Sequence, residues 1–165
     1  MNPISRSLLV VLASIIFLVV ENTDAQLAKQ GGYSAHYGWQ QAFKVMEMEK
    51  DHRVIHYEAV GAATNDAGQG FLHGVAFVCH GVNDIVKGLA NNQGYCTGTD
   101  RDGDKLFVSY ECKSAQPGGR CEGPLRWTEG TGKYAGIKGN STWYPVAIPN
   151  TAAGYAVWKG EWQLP

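Results

Sequence analysis

The sequence predicts an all-β fold, a barrel or sandwich built from roughly eight strands. Three observations carry that expectation. From Tyr37 onward the apolar residues recur at every second position, the period at which strand side chains alternate between two faces. Clusters of Gly, Asn and Asp separate the alternating segments at regular intervals, and those residues turn a chain because they tolerate the dihedral angles a turn requires. Helical periodicity is almost absent. A helix could hide only in "VNDIVKGLA", residues 82–90, which reads as a loop or a single turn.

The elements follow in order. "YGWQQAFKVME" places Tyr37, Trp39, Gln41, Phe43 and Val45 on one face. After the polar "EKD", the segment "HRVIHYEAVGA" sets Ile55, Tyr57 and Ala59 toward a core. "GFLHGVAFVC" groups Phe71, His73, Val75, Phe77 and Cys79. "QGYCTGT" and "KLFVSYEC" flank "DRDGD", whose Asp102-Gly103 pair is a hairpin signal because both positions accept positive φ. "RCEGPLRWTE", "KGNSTWYPV" and "GYAVWKGEWQ" complete the set. The β domain therefore occupies residues 37–165, with an N-terminal extension at 26–36.

The first 25 residues have a different character. Arg6 precedes an apolar run from Leu8 to Val20, followed by "ENTDA" with Thr23 and Ala25 at the −3 and −1 positions. Positive n-region, apolar h-region and small cleavage-site residues describe a secretory signal peptide, residues 1–25. The run is too short for a membrane anchor: as a helix it rises only about 20 Å, against roughly 30 Å of hydrocarbon. Cleavage removes Arg6, Glu21 and Asp24, leaving 13 basic and 13 acidic side chains. That neutral balance disfavours a nucleic-acid partner, which calls for a basic excess, and an anionic membrane surface for the same reason. No nucleic acid, no membrane after signal removal, and a secreted or periplasmic location are the expectations.

Cys79, Cys96, Cys112 and Cys121 give an even count in an exported chain, which argues for two disulfides among three conceivable pairings. Their spacings contain no C-x2-C or C-x4-C pair, so a structural zinc site is not expected. Placing Cys112 opposite Cys121 across one hairpin sets Tyr110 against Gly123, Val108 against Leu125 and Leu106 against Trp127. Every one of those positions is apolar or small, so one face becomes core. Cys79 with Cys96 would then tie the third strand to the fourth.

"GTGKYAGIKG", residues 130–139, concentrates glycine as phosphate-binding loops do. A Walker loop, however, needs Lys followed by Ser or Thr at the head of a helix, and here Tyr134 follows Lys133 and a strand-like segment comes next. The spacing of Gly130, Gly132 and Gly136 has no βαβ context to make it a dinucleotide fingerprint. The glycines read as backbone permissiveness in a tight crossover between strands.

The runs "GYCTGTDRDGDKLFVSYE", "GTGKYAGIKGNSTWY" and "AVWKGEW" resemble exported bacterial proteins of the allene oxide cyclase and dirigent-like β-barrel group, over about Gln93 to Trp162. The resemblance implies a single eight-stranded antiparallel β-barrel with an apolar cavity. In plant members such cavities steer cyclisation or radical coupling of hydrophobic substrates, largely by shape. No functional residue of that group aligns to a position here.

Among residues that could carry chemistry, His73 is the sharpest candidate. Strand alternation sets its imidazole among Phe71, Val75 and Phe77, where it could bind a ligand or move a proton; a buried histidine bonded to a backbone carbonyl fits equally. His52, His56 and Glu58 alternate on one face and could ligate a metal, but the opposite face is the core one, so they belong to solvent, as does His80. Asp100, Asp102, Asp104 and Glu111 imitate a calcium loop, yet Lys105 stands where such a loop needs glycine. G-x-S-x-G and H-E-x-x-H do not occur. Glu111 and Glu122 could face each other across a hairpin, outside the barrel. Trp39, Gln41, Tyr57, His73, Tyr110 and Trp127 form the interior set expected to touch a ligand, since pockets are built from aromatic walls with a few polar tips.

The sequence thus points first to an exported barrel binding a small apolar or aromatic molecule, without cofactor or metal, and compatible with a homo-oligomer. A second reading is a cyclase or isomerase using His73, Tyr57 or Tyr110. A third is a structural or interaction module of the cell envelope with a filled interior. An interior void of about 300 Å³ or more would separate the first two from the third.

Overall fold

The computed structural model describes residues 27–165; residues 1–25, which read as a signal peptide, lie outside them. The chain forms a closed eight-stranded antiparallel β-barrel in which each strand pairs with its sequence neighbour and the last pairs with the first. The strands are β1 (Gln30–Glu49), β2 (His52–Asn65), β3 (Val75–Val86), β4 (Leu89–Thr99), β5 (Lys105–Ser114), β6 (Cys121–Gly130), β7 (Gly139–Ala147) and β8 (Ala153–Gln163). Closure removes the free edges that would otherwise recruit other chains.

Two expected boundaries shift. The first strand begins at Gln30, so residues 30–36, read as an extension, belong to β1 and pair with β8. "VNDIVKGLA" is neither loop nor helical turn: β3 and β4 run through it to a two-residue reversal at Lys87-Gly88, both at positive φ. Positive φ at both positions matches the right-handed twist of the flanking strands, and the -KG- pair is where the sequence signal lay.

Interior side chains follow the period of two. Four large rings in the wall each meet a glycine on the next strand: Tyr57 opposite Gly81, Tyr110 opposite Gly94, Phe77 opposite Gly98 and Trp39 opposite Gly154. A Cβ at any of those glycines would overlap the facing ring. A small barrel cannot hold two bulky residues at every level, and alternating large with absent side chains is how its interior fits.

The disulfides are Cys79–Cys96 and Cys112–Cys121. Cys79 and Cys96 lie directly opposite each other. In the second hairpin the expected register is two residues off: Cys121 pairs with Ser114, Tyr110 with Leu125 and Val108 with Trp127. The Cys112–Cys121 bond therefore runs diagonally. A shift of two preserves the parity of every side chain, which is why the inward set was still right.

The two ends of the barrel differ. At the end where β1 begins and β8 stops, the β2–β3 connection folds inward and plugs the bore with Phe71 and Leu72, both buried. Phe71 stacks on Trp162 at 4.7 Å and meets Tyr33 and Trp127 edge-on at 5.2 Å. Asn65 fixes this connection, its amide nitrogen donating to the Phe71 carbonyl at 2.8 Å and its oxygen accepting from Ala67 N at 2.9 Å. Leu72 and Gly74 both take positive φ, which breaks the strand alternation and turns His73 outward.

The glycine-rich crossover lies at the same end. Lys133, in the single 3-10 turn Gly132–Tyr134, places its ammonium 2.7 Å from Asp100 and against Asp102. Asp100 in turn caps its own hairpin, accepting from Asp102 N at 2.9 Å and Asp104 N at 3.1 Å. Gly132 has φ +52 and packs so closely on Asp104 that a Cβ would overlap the carboxylate. The lysine of "GTGKYAG" is thus occupied by protein carboxylates.

Removing the plug's central ring should be costly: Phe71→Ala is expected to lower stability by about 3–5 kcal/mol, a large loss for a residue between strands, measured by urea denaturation. The lysine contact should be pH-dependent. Burial alone would raise the Asp100 carboxyl, but the Lys133 ammonium, the Asp102 amide and the Tyr134 hydroxyl outweigh it and hold it below the ordinary carboxylate range. A carboxyl that binds its proton more weakly when folded contributes fully above about pH 5 and loses that contribution as the pH falls below about 4. The difference in urea midpoint between wild type and Asp100→Asn should therefore be largest at neutral pH and shrink below pH 4; a constant difference would exclude the ionic contribution.

Candidate functional site

At the opposite end the bore stays open. A cavity of about 450 Å³ begins above the layer formed by Tyr37, Phe77 and Trp158, whose ring centroids lie 5.1–5.9 Å apart. Its walls are aromatic on one side, with Trp39 from β1, Trp143 from β7 and Trp158 from β8. Ala59 and Ala156 leave the space that larger residues would take. The opposite wall, on β2 to β5, supplies the polar groups Tyr57, Asn83, Asn92 and Tyr110, set among Ile55, Ala59 and the Cys79–Cys96 disulfide. The rim carries Gln41 and the Gly118–Cys121 stretch of the β5–β6 connection, including Arg120.

Strand register assembles the polar wall. Asn83 and Asn92 are direct partners across β3 and β4, two residues along from the Gly81–Gly94 pair. The Tyr57 hydroxyl donates to Asn92 Oδ1 at 2.7 Å and accepts from the Tyr110 hydroxyl at 2.7 Å. Asn83 Oδ1 is buried without a partner, an expensive condition for an amide acceptor. Burial pushes the Tyr57 and Tyr110 hydroxyls above the ordinary phenol range. Both stay protonated at physiological pH and act as neutral hydrogen-bonding groups. Trp143 Nε1 donates to the Glu111 carbonyl at 2.9 Å, fixing that indole as a wall.

Of the residues expected to touch a ligand, the structure brings together Trp39, Gln41, Tyr57 and Tyr110. His73 is elsewhere: it is exposed, in the β2–β3 connection at the plugged end. Its strand assignment failed because β3 starts at Val75 and the turn at Leu72–Gly74 resets the alternation. Trp127 is also absent from the cavity. It is buried under the plug against Phe71 and Tyr33, because β6 runs from mouth to plug and six residues of strand carry it about 20 Å down the bore. Sequence reasoning missed Tyr37, Trp143 and Trp158, which share the parity of residues already chosen. It also missed Asn83, inside the segment 82–90 that reads as a loop, and Asn92, just ahead of the strand reading that starts at Gln93.

Other candidate clusters are accounted for by packing. His52 Nε2 donates to Asp84 Oδ1 at 2.9 Å, and His80 lies 3.7 Å from Glu58, both on the outer face. Glu111 and Glu122 are also outside, engaged by Arg126 and Arg120. Ser34, His36 and Asp66 imitate a catalytic triad, but Asp66 stands between the others, accepting from Ser34 at 2.5 Å and contacting His36 at 2.7 Å. A triad requires the imidazole in the middle, next to the hydroxyl it deprotonates.

No protein-family model matches the sequence, and no curated protein is similar to it. Among solved structures, the chain is similar to a pterocarpan synthase dirigent protein. The two are 9% identical over 92% of this chain and all of that one, with a TM-score of 0.48.

The Tyr57 network makes a direct prediction. Tyr57→Phe strips Asn92 of its donor and Tyr110 of its acceptor, and is expected to cost about 1–3 kcal/mol, the range for leaving buried polar partners unpaired. The urea midpoint measures it; a neutral result would mean that solvent already reaches these groups.

Proposed function

We propose that this protein is an exported binding barrel that holds a small apolar or aromatic molecule in the open half of its bore. The observation that carries the reading is the half-open cavity of about 450 Å³ walled by Trp39, Trp143 and Trp158. Its size falls within the range of small-molecule sites, and its lining follows their pattern of aromatic surface with a few fixed polar groups. A filled structural module would have no use for Ala59 and Ala156 at positions where larger side chains would complete the core. Two disulfides among the described residues accord with an oxidising compartment outside the cytoplasm, as does the leader-like N-terminal sequence.

A second reading, a cyclase or isomerase of the kind the sequence resemblance implies, draws support from the paired Tyr57 and Tyr110 hydroxyls in the cavity wall. Neutral phenols can orient a carbonyl or epoxide oxygen and donate to it as charge develops. Under that reading Tyr57→Phe lowers turnover of a cyclisable substrate well beyond its effect on binding.

N-Phenyl-1-naphthylamine, a neutral apolar fluorophore, tests the binding reading. One molecule per chain is expected to bind, quenching the cavity tryptophans. Ala156→Leu, which fills the space, should weaken binding at least tenfold while the overpacking costs about 1–3 kcal/mol or less. Failure of the wild type to bind would favour the closed module.

A further inference from the structure

The outer wall holds a second concave site, separate from the bore. Strand register aligns five outward side chains in one row: Glu58, His80, Tyr95, Ser109 and Arg126, each the direct partner of the next across β2 to β6. A parallel row two residues along contains His56, Val82, Gln93 and Glu111. The rows flank a groove of about 610 Å³ floored by the backbone of Gly81 and Gly94. With strands about 4.8 Å apart, five strands span roughly 20 Å, the length of a short oligosaccharide.

The chemistry of the groove is specific. Tyr95, in the middle strand of the row, is 72% exposed, and no ring among the described residues stacks on it. It offers water an aromatic face with a polar tip. Around it stand planar hydrogen-bonding groups open to solvent: Arg126 lies 3.3 Å from Glu111, and His80 lies 3.7 Å from Glu58. The one arginine is matched by Glu111, and Glu58 leaves the row with a single formal negative charge, so nothing in the groove calls for a polyanion. A flat aromatic platform ringed by planar donors and acceptors complements a molecule with one C–H face and a rim of hydroxyls.

We infer that the outer groove over Tyr95 is a binding site for a neutral oligosaccharide. A pyranose ring stacks its C–H face on Tyr95 while Gln93, Glu111 and Arg126 bond its vicinal hydroxyls, in the manner of planar side chains with paired donors or acceptors. This site shares the Tyr57 and Tyr110 part of the wall with the bore, but uses none of the bore's open space.

The test is titration calorimetry of the full mature chain with cello-, chito-, malto- and xylohexaose, alongside polygalacturonate and heparin. At least one neutral hexasaccharide should bind, with Tyr95→Ala weakening it at least tenfold and Gln93→Ala severalfold. Neither outward substitution should alter uptake of N-phenyl-1-naphthylamine, so loss of the groove is distinguishable from loss of the fold or of the cavity. Absence of binding to every neutral glycan overturns the inference. So does binding that survives Tyr95→Ala, or binding of the acidic polymers alone.

Discussion

A closed barrel of eight strands has a narrow bore, and this chain fits its aromatics into it by pairing them with glycine. Tyr57, Tyr110, Phe77 and Trp39 each occupy volume that Gly81, Gly94, Gly98 and Gly154 vacate on the adjacent strand. Everything else in the interior depends on that exchange. It lets the Tyr57 and Tyr110 hydroxyls reach each other across β2, β3, β4 and β5, and it lets the edge of the Trp39 ring rest on the Gly154 backbone. A methyl group at any of these glycines would overlap the facing ring and displace it.

The same economy divides the bore in two. Below the Tyr37–Phe77–Trp158 layer the rings interlock with the inserted β2–β3 connection, and the interior is as full as any core. Above it, alanine takes the positions where a ring would close the space, and polar amides replace apolar side chains along β3 and β4. The difference lies in side-chain volume and polarity, not in backbone geometry, since one register serves both halves.

This division explains which parts were legible in the sequence. Period-two alternation and the Asp102-Gly103 turn conveyed the strands and the parity of nearly every side chain, because those are local properties. Even the misjudged β5–β6 register did no damage, its error being an even number of residues. What failed was depth along the bore. Trp127 and Trp143 look equivalent as inward tryptophans, and only the direction of each strand and the length of each connection put one under the plug and the other at the mouth. His73 failed for a related reason: nothing in "GFLHG" shows that Leu72 takes a left-handed conformation. Asn83 was lost when a hairpin lacking β-branched regularity and containing "NDIVKG" was taken for a loop, and Asn92 fell just ahead of the strand read from Gln93.

The order of strands around the ring has a kinetic side. Seven of the eight ladders join neighbours in sequence and can form as hairpins, each in a short search. The eighth joins β1 to β8, pairing Gln30 with Gln163 and Gln40 with Ala153, and it can form only once both ends of the domain are present. Ladders between distant residues form late because the loop they close costs entropy before any contact compensates. A chain emerging N-terminus first would thus carry β1 with one side unpaired until β8 is made, while the two disulfides, both within hairpins, could already close. The last strand made is the one that turns an open, association-prone sheet into a sealed ring.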